Sequence, residues 1–282
     1  MAEEVCGGQR PVSRPWYPSD TIKGSVAVHL AAAAGLVVAP EFWPAALAAL
    51  VADHALIAAA GLLPRCQLLG PNLTRLPAQA AARGAVSITI DDGPDPAVTP
   101  QVLNLLDAAG AKASFFLIGE RAARYPSLVR EIVTCGHSVE NHTQHHPHHF
   151  SLLGPKAMAQ EVAAAQDTLA QITGTAPRFF RAVAGLRNPF LEPVLARLDL
   201  HLASWTRRGY DTRCGDPQVI RQRLTRDLAA GDILLLHDGH AARTPSGTPV
   251  LLETLPLLLA DLAAAGLHSA SLPEAISAGT HT

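Results

Sequence analysis

From residue 85 onward the chain alternates short apolar stretches with segments of helical periodicity, and this alternation restricts the fold more than any other feature. Strands are read at 85–90, 113–118, 178–180, 201–205, 232–236 and 267–271, with helices at 98–109, 121–135, 189–198, 217–230 and 250–265. Strands that recur with helices between them run parallel, because each helical crossover returns the chain to the same end of the sheet. The predicted fold is α/β, either a barrel or a doubly wound sheet. In both, the chemistry gathers at the C-terminal ends of the strands. With 282 residues, 48% of them hydrophobic, a single barrel would use most of the chain and fill a sizeable core.

Charge narrows the function classes. Lys and Arg total 22 against 24 Asp and Glu, a formal net charge of −2, with no long basic run. A non-specific nucleic-acid binder needs cations to neutralise phosphates, so no nucleic-acid partner is expected. Cys6, Cys66, Cys135 and Cys214 form no CxxC pair, which fits a reducing compartment better than a zinc ribbon or a disulfide framework. Residues 1–24 are polar and contain proline, so no cleavable signal peptide is seen.

The N-terminal segment, residues 1–77, differs from the α/β domain expected at 78–282, and the proline-rich stretch 70–77 marks the boundary. Two Ala/Leu/Val-rich runs, 25–39 and 45–63, are broken at Pro40 and Pro44 and predict a helical hairpin. The first is shorter than the ~20 residues of a spanning helix, and the second carries Asp53 and His54 near its middle, a costly pair in hydrocarbon unless partnered. Two readings follow: a hairpin packed on the soluble domain, or one inserted in a membrane. Trp16, Tyr17, Phe42 and Trp43 sit where interfacial anchors would, which favours membrane association of residues 25–63. Arg10, Arg14 and Lys23 precede the hairpin, Arg65, Arg75 and Arg83 follow it, and its turn holds only Glu41. The positive-inside bias then puts both ends on the cytoplasmic side, so the expected location is the cytoplasm or the cytoplasmic face of the membrane.

Three motifs carry chemistry. Thr-Ile-Asp-Asp-Gly-Pro at 89–94 places Asp91 and Asp92 where the first strand ends; neighbouring side chains on an extended segment point opposite ways, so one acid can bind a metal while the other acts as a base. Six of the chain's 13 histidines lie between His137 and His149. In His142-Thr-Gln-His-His146 the i, i+4 pair would share one face of a helical turn, suited to a divalent cation, although His142 with His145 could do the same. Two His and one Asp leave positions open for water and substrate, as a catalytic site requires. His148 and His149 read as solvated loop. Finally, His237 directly follows the buried strand 232–236, where an imidazole is held rigidly and can act as a general acid. Arg181 and Asp211 also fall at strand ends, where a buried Arg or Asp would tune a catalytic neighbour.

These residues, in this order, resemble the polysaccharide deacetylase family, carbohydrate esterase family 4, with its NodB-like homology domain, over roughly residues 85–276. The resemblance implies a distorted (β/α) barrel preceded here by the apolar hairpin. It implies Asp91 as base, Asp92, His142 and His146 as metal ligands, His237 as general acid, and Leu235 as part of the acyl pocket. Arg181-Ala-Val-Ala-Gly185 is similar to the third motif, with Arg181 pairing Asp91 and the Ala184 N–H as oxyanion donor, but Val183 and Ala184 replace a proline and an aromatic. Residues 205–211 are similar to the fourth, with Trp205 shaping the groove and Asp211 supporting His237, at altered spacing. The implied activity is metal-dependent removal of an N-acetyl or other N-acyl group from an amino sugar, with Zn²⁺, Co²⁺ or a similar ion as cofactor. Aromatics make up only 5% of the chain, too few to stack a long glycan, so a short or lipid-linked substrate is preferred. The alternatives are a deformylase or deacetylase of a lipid-linked amino sugar, an N-acyl or cyclic-amide hydrolase acting on a non-sugar, a metal-retaining sugar-binding domain without catalysis, and a histidine-rich metal-handling protein.

Overall fold

The structure, a computed structural model, describes residues 13–277, so Arg10 and Cys6 lie outside it. Ser19 opens the first helix by accepting a hydrogen bond from the Ile22 N–H, and Asp20 follows in the first turn. The hairpin consists of α1 (Asp20–Val38) and α2 (Trp43–Leu62), joined by a 3-10 turn at Pro40–Phe42. Both helices are long and apolar enough to cross a membrane, and little of either is buried. At 1.5 Å per residue they are about 28 and about 30 Å long, close to the ~30 Å of a hydrocarbon core. Asp53 is turned inward: its carboxylate accepts from the Ser25 hydroxyl at 2.7 Å and lies 3.8 Å from His29 Nδ1.

The chain then runs through α3 (Ala78–Ala82), β1 (Ala85–Asp91), α4 (Thr99–Ala108), β2 (Ala113–Leu117), α5 (Gly119–Arg124), α6 (Pro126–Thr134), β3 (Ser138–Asn141) and α7 (Pro155–Thr173). It continues with β4 (Phe179–Phe180), α8 (Leu191–Arg197), β5 (His201–Leu202), β6 (Arg207–Arg208), α9 (Pro217–Thr225), β7 (Ile233–His237), α10 (Val250–Ala264), β8 (His268–Ser269) and α11 (Leu272–Ser277). The sheet order is β5-β4-β3-β2-β1-β7-β6, every pairing is parallel, and β8 pairs the start of β1. Only residues 203–206 separate β5 from β6, so this one bent segment pairs β4 with its first half and β7 with its second. The sheet therefore curls into a distorted barrel.

Alternation along the strands divides the core. Val86, Ile88, Ile90, Phe115, Leu117, Leu234 and Leu236 face outward against Val102, Leu106, Leu255 and Leu258 of the surrounding helices. Phe116, Phe179, Ala203, Trp205, Ile233 and Leu235 form a second cluster on the other side of the strands. That inner face carries Asp91 and His237 at the C-terminal ends of β1 and β7, which are paired in register.

Several predicted elements need correction. The helix expected over 121–135 is two, α5 and α6, because Pro126 pushes Tyr125 out of the helical region to φ −128°, ψ 55°. The helix expected to reach 230 ends at Thr225, where Arg226 turns extended. The strand expected over 201–205 runs in the sheet at His201–Leu202, and Ala203 makes a single bridge to Leu73 before the chain bends toward β7. β3 and α7 are not among the elements that the sequence pattern predicts. β3 is Ser-Val-Glu-Asn, a strand without an apolar pattern, since buried Glu140 accepts from the Arg178 and Phe179 N–H groups and buried Asn141 donates to the Val162 carbonyl.

Candidate active site

All ten residues singled out in the sequence converge. Asp91, Asp92, His142, His146, Ala184, Trp205, Leu235 and His237 line one cavity of about 280 Å³ at the C-terminal mouth of the barrel. Arg181 and Asp211 lie fully buried behind it, touching Asp91 and His237.

Asp91 ends β1 facing the barrel interior. Its neighbour reaches the same cavity because Asp92 adopts a left-handed backbone (φ 74°), which cancels the expected opposition of adjacent side chains. Nor do His142 and His146 share a helical turn. Residues 142–147 form a loop in which Thr143 (φ 68°) and His146 (φ 54°) are left-handed, and the loop folds both rings toward Asp92. The Thr143 hydroxyl accepts from the His146 N–H at 3.0 Å and fixes this turn. Together with Ala184 (φ 55°), these strained positions cluster at the cavity, where function commonly holds them. His145 points away and pairs with Glu161 at 2.8 Å, which decides between the two histidine spacings.

The Asp92 Oδ1 atom lies 3.2 Å from both His142 Nε2 and His146 Nε2. His142 donates its Nδ1–H to the Arg181 carbonyl at 2.8 Å, so in the neutral ring the Nε2 lone pair faces a carboxylate oxygen. A lone pair opposed to an anion is unfavourable without a cation between them, and one ligand atom from each of the three residues lies within 4.8 Å of the others. The donor set therefore fits a divalent metal. Burial acts to raise the Asp92 carboxyl, but the imidazoles of His142, His146 and His240 around it outweigh burial and hold the group well below its usual range.

Arg181 is the largest fully buried side chain, and each arm of its guanidinium is satisfied. It donates to Asp91 Oδ1 at 2.6 Å, to the Thr89 hydroxyl at 2.8 Å and to the carbonyls of Ala203 and Ser204 at 3.2 and 2.8 Å, above the Phe116 ring. Such complete pairing is what makes a buried charge tolerable. Asp211 grips His237 twice, accepting its backbone N–H at 2.7 Å and its Nδ1–H at 2.9 Å. Burial opposes charge on this ring, yet Asp211 lifts its pKa to about 9, so His237 is a cation at neutral pH.

His148, expected in a solvated loop, instead lines the cavity beside His146, and three further residues around it have no sequence signal of their own. His240 donates to Asp92 Oδ2 at 2.8 Å, and Arg121 reaches both the other nitrogen of that ring at 3.0 Å and the Asp92 carbonyl at 2.8 Å. Arginine only donates, so His240 must accept at Nε2 and carry its proton on Nδ1. Its place in His237-Asp-Gly-His240, right after the proposed acid, was the available clue; nothing in sequence marks Arg121. Arg208, the third, also lines the cavity.

Known proteins can now be set beside this geometry. The polysaccharide deacetylase family profile matches residues 78–203. A chitooligosaccharide deacetylase of Azorhizobium caulinodans is 34% identical over 158 residues, covering 56% of this chain and 75% of that protein. The chain belongs to the polysaccharide deacetylase family. A peptidoglycan-N-acetylglucosamine deacetylase of Bacillus cereus is 33% identical over 175 residues, 61% of this chain and 81% of the relative. The family 4 carbohydrate esterase of Streptomyces lividans, solved in complex with acetate, superposes with a TM-score of 0.60 at 34% identity, covering 66% of this chain and 91% of that one. As a family member the chain is a hydrolase of carbon–nitrogen bonds other than peptide bonds.

Proposed function

We propose that this deacetylase removes the N-acetyl group of an amino sugar, with Zn²⁺ held by Asp92, His142 and His146. The carrying observation is the convergence in one cavity of an Arg-oriented carboxylate, an Asp-oriented histidine and this three-residue donor set. When bound, the metal supplies Lewis acidity and a water that is nucleophilic near neutral pH. Asp91, held by Arg181, is the residue placed to take a proton from a water attacking the amide carbon. The Ala184 N–H supports the oxygen where negative charge develops, a contact worth roughly 3 kcal/mol in such sites. Leu235 and Trp205 flank the acetyl methyl. An amine leaves poorly unless protonated, and the His237 cation gives its proton to the nitrogen as the C–N bond breaks, leaving acetate and the free amine. A pure sugar binder or a metal store would need neither the Asp91–Arg181 pair nor the Asp211–His237 pair, which weighs against both readings.

The test is acetate release from N-acetylated chitooligosaccharides and from N-acetyl and N-formyl arylamides. Metal-stripped protein should be inactive, refilling with Zn²⁺ or Co²⁺ should restore release, and His142→Ala should not be restorable. Full activity in the stripped protein would overturn the metal's role, and arylamide turnover above that of the sugars would move the reading to a non-sugar amide.

The hairpin supports a location at the cytoplasmic face of a membrane. Trp16 and Tyr17 ring its base and Phe42 and Trp43 its turn, while Leu30, Val51 and Leu56 on its flanks are at least half exposed. The full chain is expected to float with lipid vesicles and resist carbonate extraction. Leu30→Asp with Val51→Asp should release most of it, since each central charge costs about 3 kcal/mol of insertion. Wild-type protein that stays in the aqueous phase would return the hairpin to the packed reading. A lipid-linked amino sugar is the substrate form that this placement favours.

A further inference from the structure

The exit of α2 meets the rim of the cavity. Pro64 packs on Gly185, whose left-handed turn (φ 74°) leaves no room for a Cβ: one would lie 2.6 Å from the Trp205 ring and 2.7 Å from Pro64. The Pro64 carbonyl accepts from the Ser204 hydroxyl at 2.9 Å, and the Arg187 N–H donates to the Gly61 carbonyl at 3.1 Å. Between this exit and the barrel rim lies a second groove of about 510 Å³, which shares Trp205 and Arg208 with the catalytic cavity.

The two arginines of β6 have different fates. Arg207 is consumed by structure, pairing Asp232 at 2.6 Å and donating to the carbonyls of Arg226 and Asp227. Arg208 has no carboxylate and no hydrogen-bond acceptor among the described residues, and its buried Nε is unpartnered. Its guanidinium is instead stacked on the Tyr210 and Trp205 rings, 5.0 and 5.4 Å from their centroids. Arg65 stands across the groove with one nitrogen on the Thr206 carbonyl at 3.1 Å and the rest of the fork exposed. Among the described residues, no acidic side chain lines the groove. Two guanidiniums, one held by aromatic rings and lacking any acceptor, make a phosphate-binding arrangement.

The groove also has a direction. On one side is the cavity for the N-acetyl group; on the other are exposed Leu62 and Leu63 at the end of an apolar helix. We infer that Arg65 and Arg208 bind the phosphate of a glycosyl-phosphate substrate, an N-acetylated amino sugar whose phosphate links it to an apolar tail lying along the hairpin. This rests on the deacetylase reading, and the test separates the two.

Binding is measured by calorimetry on the full-length Asp91→Asn protein, whose turnover is too slow to matter on that timescale, with the metal removed so that phosphate cannot coordinate it. The probes are N-acetylglucosamine 1-phosphate, methyl N-acetylglucosaminide and inorganic phosphate. The sugar phosphate should bind at least tenfold tighter than either of the others, and adding Arg208→Gln or Arg65→Gln should shrink that gap to less than threefold. Equal affinities, no binding, a gap that survives both substitutions, or inorganic phosphate binding as tightly as the sugar phosphate each overturns the proposal. Phosphatidylglycerol vesicles form the last arm. If both Gln variants weaken flotation while sugar-phosphate affinity is unchanged, the arginines serve bilayer headgroups, which also overturns it. Because binding is read without turnover, failure of wild-type protein to release acetate would sink the deacetylase reading alone.

Discussion

Asp91→Asn is expected to lower amine release by at least about 10³-fold while the protein still binds one metal per chain. General-base catalysis contributes roughly 10²–10⁴ in rate, and the amide is close in size to the carboxylate but has no basic oxygen. The donor atoms of the metal set belong to Asp92, His142 and His146, and Asp91 Oδ2 stands 4.0 Å from His142 Nε2, near the site but outside it. Arg181, however, loses its one ion-pair partner among the described residues. It keeps Thr89 and the carbonyls of Ala203 and Ser204, which limits a penalty that is about 3–5 kcal/mol for an uncompensated buried charge. The measurement is therefore threefold: turnover, metal content and thermal unfolding. A folded variant with full metal and activity within tenfold of wild type would move the proton transfer to another group. Lost metal would make Asp91 a ligand instead.

How much of this was legible in sequence depends on whether a residue acts through local pattern or through distant contact. Alternation of strand and helix gives the parallel barrel because each βα unit is written in contiguous residues. The strand-end positions of Asp91, Arg181 and His237 follow from the same local pattern. β3 was hidden because its inward residues are polar and satisfied by partners some 40 positions away: Glu140 reaches the backbone of Arg178 and Phe179. Helical spacing left His142 with either His145 or His146, and the rings of His142 and His146 are brought together by a loop with left-handed Thr143 and His146, which spacing does not encode. Arg121 and Arg208 were invisible because their meaning lies in what surrounds them. Arg121 matters through His240 and the Asp92 carbonyl, and Arg208 through the acceptor it lacks.

Asp211→Asn should shift the basic limb of the pH–rate profile by more than two units. The acid must be protonated to act, so kcat/KM is sustained up to the pKa of His237 and falls as pH rises through it. In the wild-type protein that fall is expected near pH 9, because the Asp211 carboxylate outweighs the burial that disfavours the imidazolium. An amide at position 211 removes the counter-charge and leaves the burial, so the ring should titrate at or below the ordinary value of about 6.5. At pH 8 the wild type keeps most of its acid form while the variant keeps about 3%, a loss of roughly 30-fold; at pH 6 the gap should narrow to a few-fold. This recovery in acid separates a pKa effect from simple misplacement of the ring, which would lower the rate equally at every pH. The backbone contact adds a second readout. Asp211 also accepts the His237 N–H at 2.7 Å, so an amide oriented to keep that bond leaves the end of β7 in place and unfolding temperature nearly unchanged. A profile whose basic limb stays near 9 in the variant would show that the charge on His237 has another source, the carboxylates of Asp91 and Asp92 being the remaining ones in the cavity.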